Sequence, residues 1–137
     1  MRGGRAMNDK NTLFENADVI YSYTRAQALA DGVLVDVTET AKEAGITYPV
    51  AVTSGLWHKY VVPDEPSKLH CQSTEGRLWD TLWLFRYAAA GFSGDLLYYE
   101  VLYVMEGRKM NKVKLKALCG PGDNGEPVIT IMLPDED

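Results

Sequence analysis

No apolar run in this chain approaches the ~20 residues that a membrane-spanning helix requires, so such a helix is excluded and no membrane partner is expected. Cysteine is scarce: Cys71 and Cys119 are the only two. Two thiols do not make a disulfide framework, and they fit a reduced, cytoplasmic compartment. Basic residues stop at Lys116, while Asp123, Glu126, Asp135, Glu136 and Asp137 follow it. The net charge of −5 therefore belongs to one loop and the C-terminal tail, and the body before them balances. A balanced body offers no cationic field for DNA or RNA, so nucleic acid is not expected as a partner. A nucleic-acid mimic would need carboxylates spread over a face, and that spread is lacking too. Internal repeats and low-complexity tracts are absent. Residues 1–12 carry charge but no apolar core segment, so they read as a flexible arm rather than a secretory signal, with Met7 an alternative start.

A chain of 137 residues with 46% hydrophobic side chains suits one globular domain. A domain of that size buries roughly two thirds of the surface its unfolded chain exposes, enough to fold without a metal or a staple. The expected division is an arm over 1–12, a domain over 13–134 and an acidic tail over 135–137.

Ala17-Asp18-Val19-Ile20-Tyr21-Ser22-Tyr23 has the β-branched and aromatic content of a short strand. Thr24 caps a helix through Arg25 to Asp31, which Gly32 closes. Val33 to Val37 reads as extended. Thr38 caps a second short helix ending at Gly45. Pro49 opens a new unit, and Thr53 or Ser54 caps a third helix carrying Leu56, Trp57, Tyr60 and Val61. The strongest helix spans 75–90. Leu78, Trp79, Leu82, Trp83 and Phe85 mark its expected core face, with Arg77, Asp80 and Thr81 on the other side. Trp79 and Trp83, one turn apart, are expected to be buried.

After that helix the pattern changes to strands. Residues 96–105 are rich in Tyr, Val and Leu, and Glu106-Gly107 begins a turn. From Asn111 to Leu118 the chain alternates, with Val113, Leu115 and Ala117 on one side and Lys112, Lys114 and Lys116 on the other, as in a half-buried sheet. A glycine-rich loop at 120–126 leads to a last strand over 127–133. The fold class is α+β: short N-terminal helices and a strand, one long central helix, then a C-terminal three-stranded antiparallel meander.

The segment 18–37, with Ile20-Tyr21-Ser22-Tyr23-Thr24-Arg25 and Gly32-Val33-Leu34-Val35-Asp36-Val37, and the closing Gly120-Pro121-Gly122-Asp123 and Pro127-Val128-Ile129-Thr130-Ile131-Met132 resemble an uncharacterised family. Its members are small proteins of bacteria, phages, plasmids and other mobile elements. The resemblance extends from about Phe14 to the end. It implies a context and no catalytic residue.

Metal ligation would have to draw on His58, His70, Cys71 and Cys119. The paired thiols of a zinc knuckle are missing and the one close pair is adjacent, so neither a metal site nor a cofactor is expected. Loop 120–126 lacks the lysine of a phosphate loop and the alternating carboxylates of a calcium loop, so it reads as a wide turn. The residues left for contact with a partner are Lys112, Lys114 and Lys116 along one strand, and Asp123 and Glu126 in the loop.

The expected function is non-enzymatic. The chain would be a cytoplasmic accessory protein of a mobile element that binds a host or element-encoded protein. An alternative follows from Tyr23-Thr24-Arg25 and the helix after them, which are similar to the opening of ADP-ribosyltransferase-like domains. There Tyr23, Thr24 and Arg25 would line a nicotinamide pocket in an enzyme acting on a nucleotide, and Glu100 or Glu126 would supply the acid. A nucleic-acid mimic or binder is the second alternative.

Overall fold

The computed structural model describes residues 23–65, 72–105 and 109–136. It is a mixed α+β structure with a five-stranded sheet. The chain begins with α1 (Arg25–Ala30), β1 (Leu34–Asp36), α2 (Thr38–Glu43) and β2 (Val50–Thr53). Next come α3 (Ser54–Leu56), which passes directly into a π-helical turn over Trp57–Val61, and then α4 (Thr74–Ala89). The last three elements are β3 (Leu96–Met105), β4 (Lys109–Pro121) and β5 (Pro127–Met132). The sheet order is β1-β2-β5-β4-β3. β5 runs parallel to β2, and the other neighbours are antiparallel.

Local chemistry explains the early elements. Thr24 and Gln27 form a reciprocal capping box on α1, and Gly32 leaves it at φ +79°. Asp123, from the β4–β5 loop, accepts the free amides of Arg25 and Ala26 at 2.8 and 3.0 Å. Those bonds hold its carboxyl below the usual carboxylate range. Thr38 does not cap α2 as its position suggests. Its hydroxyl binds Asp36 and the backbone of Val50, tying the helix to β2. Gly45 ends the next turn at φ +92°, and a Cβ there would stand 2.7 Å from Arg86 Nε.

Val50–Thr53, between Pro49 and the third helix, is a strand buried at every residue. It lies between β1 and β5 with a helix layer on its core side, and such strands are apolar without alternating. Thr53 then caps α3 by accepting the Leu56 amide.

Helix α4 covers one face of the sheet. Leu78, Leu82 and Phe85 pack on Tyr99, Val101, Tyr103, Leu115, Ile129 and Ile131. Two sequence expectations fail on this helix. Trp79 and Trp83 are 37% and 44% exposed and stack on each other at 6.0 Å, outside the core. Arg77 and Thr81, expected outside, are buried. Arg77 donates to the carbonyls of Tyr60 and Val104, so its guanidinium is desolvated yet satisfied. Thr81 shares a 2.6 Å hydrogen bond with Tyr103, and Tyr99 donates to the Thr81 carbonyl. Apolar residues nearly encircle this helix, so composition alone does not mark the buried stripe.

On the opposite face α1 covers only part of the sheet. The Arg25 guanidinium reaches Thr130 Oγ1 at 2.6 Å and the Ile129 carbonyl at 2.8 Å. Leu96, Tyr98 and Leu102 of β3 and Leu118 of β4 are exposed beside Lys112 and Lys114. Within the acidic tail, Glu136 is docked. Its carboxylate accepts from Thr53 Oγ1 and the Leu133 amide, and Lys116 Nζ donates to its carbonyl. The arm over 1–12 and most of the strand expected at 17–23 lie outside the described residues, as do Asp137 and the turn at Glu106-Gly107.

Candidate functional site

A cavity of about 510 Å³ opens where the C-terminal turn of α4 meets the ends of β3 and β4. Its floor is the edge of the core: Phe85, Leu97, Ala117 and Ile129. One wall is the loop from Gly45 to Tyr48, drawn close because Gly45 allows Arg86 to pass against its backbone. The chain leaving α4 forms the other wall. Gly91 at φ +77° turns it so that Phe92 and Asp95 face the opening. Tyr48, Tyr87 and Phe92 line the mouth and stay exposed, Tyr87 by 77%. The charged lining groups are Arg86, whose guanidinium lies 5.4 Å from the Trp83 ring, and Asp95. Half-buried Cys119 lines the inner end.

A pocket of this volume, apolar within and carrying one cation and one carboxylate, accommodates an apolar group and orients it through a few polar contacts. Among the described residues no histidine lines it. Among the described residues no three histidine, cysteine or acidic side chains converge as metal ligands. His58 stands exposed on the π-helical turn, while His70 and Cys71 lie outside the described residues.

The residues singled out in the sequence fall elsewhere. Tyr23 donates to Asp31 at 2.7 Å, which raises its pKa, and Thr24 caps α1. Arg25, Asp36, Asp123 and Glu126 surround a separate hollow of about 230 Å³ on the partly covered face. Burial pulls the Arg25 pKa down, and the three carboxylates oppose that shift. Glu126 folds onto its own loop, accepting the Asn124 amide at 2.9 Å. Glu100 lies on β3, two strands away from β5, opposite Lys114. The structure thus brings Tyr23, Thr24, Arg25 and Glu126 to one end of the sheet and leaves Glu100 apart. Lys112 and Lys114 are exposed, and Lys114 Nζ sits 5.9 Å from the Tyr98 ring centroid.

Sequence inspection missed the cavity, whose lining comes from loop 45–48, the end of α4, segment 92–97, residues 117–119 and Ile129. The available signal was Tyr87 and Phe92 flanking the stop glycine of a long helix, where large aromatics have no turn to make.

These features define an α+β domain with one sheet face closed by a helix and an aromatic-rimmed cavity at its edge. The chain belongs to the family of unknown function DUF6573, whose family model matches residues 10–137. Neither a curated protein nor a solved structure matches it significantly.

Proposed function

We propose that this domain acts by binding a protein, taking an apolar side chain of its partner into the cavity beside Arg86. The observation that carries this is the exposed trio Tyr48, Tyr87 and Phe92 around an apolar floor, with the stacked Trp79–Trp83 pair on the same helix. Tyrosine, tryptophan and arginine are the residues that dominate binding energy at protein interfaces. An apolar patch of this kind on a folded domain marks a contact surface. In this reading the partner is a host protein, the chain is a cytoplasmic accessory of a mobile element, and no bond is made or broken.

The test is affinity capture from bacterial lysate with the full chain and with Tyr87→Ala/Phe92→Ala, followed by reconstitution with the purified partner. Hot-spot truncations cost about 2 kcal/mol or more, so the variant should bind about 30-fold more weakly with its melting temperature kept. A partner held equally by both proteins would move the contact away from the cavity.

A further inference from the structure

The sheet is incomplete beside the N-terminal half of β4. β5 ends at Met132, opposite Lys116, whereas β4 begins at Lys109. Among the described residues, 109–115 therefore have β3 on one side and no strand on the other. The Cys119 amide donates to the Asp95 carbonyl at 2.8 Å, in register with every β3–β4 pair. Alternate residues of an antiparallel strand turn their N–H and C=O groups to opposite sides. Odd-numbered residues of β4 thus face β3, and even-numbered ones face away. Lys116 and Leu118 meet Met132 and Thr130 of β5, but among the described residues no strand lies opposite Met110, Lys112 and Lys114.

Across from them lies a groove of about 580 Å³, walled by Lys59, Tyr60, Leu133, Pro134 and Asp135. Tyr60 stacks on Tyr103 at 5.6 Å, which makes that wall firm and apolar, and Lys59 Nζ stands 5.5 Å from the Tyr60 ring. The wall includes part of the π-helical turn, a feature that recurs at functional sites. Three lysines and one carboxylate line the groove. Glu136 of the acidic tail is not among its lining residues, being held by Thr53 and Lys116.

We propose that this groove binds an extended acidic segment of a partner protein as an added strand beside β4. The guest runs antiparallel to β4, as β5 does, and its backbone bonds Met110, Lys112 and Lys114. Side chains directly opposite Lys112 and Lys114 lie on the open face, so carboxylates at positions i and i+2 pair with the two ammonium groups. The residues between them turn to the other side of the added strand, where apolar side chains suit the Tyr60 wall. The recognised chemistry is an extended run of carboxylates alternating with apolar residues. This surface is separate from the cavity, since Lys112 and Cys119 lie about 20–25 Å apart at ~3.3 Å per strand residue.

The probe is a capped peptide of about seven residues alternating glutamate and valine, titrated calorimetrically into the full chain. Binding should weaken about tenfold or more in Lys112→Glu/Lys114→Gln, whose substituted positions are exposed and leave folding intact. Methylating the glutamate amides, which face β4, should abolish binding, and methylating the valine amides should not. Tyr87→Ala should bind the peptide normally, which separates this site from the cavity. The proposal is overturned if the glutamate peptide does not bind, if a lysine–valine peptide binds as well, or if both methylated peptides behave alike. Displacement of the peptide by a single-stranded oligonucleotide of higher affinity would also overturn it, assigning the lysines to nucleic acid.

Discussion

The two faces of the sheet obey different rules although the same strands build them. Under α4, Val113, Leu115 and Ala117 are buried with Tyr99, Val101 and Tyr103. On the reverse of the same strands, Lys112, Lys114 and Leu118 stand exposed beside Tyr98 and Leu102. One face is specified by packing. The other, among the described residues, is covered on its β5 side by α1 through Arg25 and the capping Asp123.

The sharpest way to break this comparison uses one strand. Leu115 is fully buried and Leu118 is 36% exposed, three residues along β4. Leu115→Ala should cost about 2–5 kcal/mol in chemical denaturation, and Leu118→Ala less than about 0.5 kcal/mol. Similar losses at both sites would show that something covers the open face.

A second test probes the polar seam inside the closed face. Burial raises the Tyr99 pKa well above normal and that of Tyr103 to about 12, although the Thr81 hydroxyl and Arg77 pull Tyr103 the other way. The folded state holds these protons after the unfolded chain has released its own near pH ~10. Their contribution is therefore complete below about pH 10 and is lost as pH rises towards 12. Thermal melts across that range should fall steeply, and Tyr103→Phe should flatten the slope while costing about 1 kcal/mol at neutral pH. An unchanged slope would place the seam in water.

The smallest effect belongs to the tail. Glu136→Ala removes the acceptor for Thr53 and Leu133 and should cost about 1 kcal/mol, whereas Asp135→Ala, on an exposed side chain, should be neutral within about 0.5 kcal/mol. Equal melting temperatures for the two variants would show that the docking seen at Glu136 carries no weight.

Much of the scaffold was legible in the residues. Thr24, Gln27 and Gly32 mark α1 through short-range chemistry, and the period of two from Lys112 to Ala117 fixes which side of β4 is wet. What was not legible depends on partners distant in sequence. Val50–Thr53 becomes a strand because β1 and β5 flank it, with Val52 opposite Val35 on one side and Ile131 on the other. Pairing across the chain, and not the local pattern, decides that segment. Arg77 is inside because two carbonyls wait for it, and the tryptophans are outside because the α4 stripe is filled by Leu78, Leu82 and Phe85. The cavity needs five segments at once, so no spacing rule announces it.

β5 is the last strand in sequence, yet it sits in the middle of the sheet, parallel to β2 and antiparallel to β4. A chain emerging from the ribosome has therefore made β1, β2, β3 and β4 before it makes the strand that joins them. Until Pro127–Met132 arrives, the β1–β2 pair and the β3–β4 pair are two unjoined pieces with raw edges. Completion of the sheet waits for β5, and a translation stop before residue 127 releases a chain that lacks the middle of its own sheet.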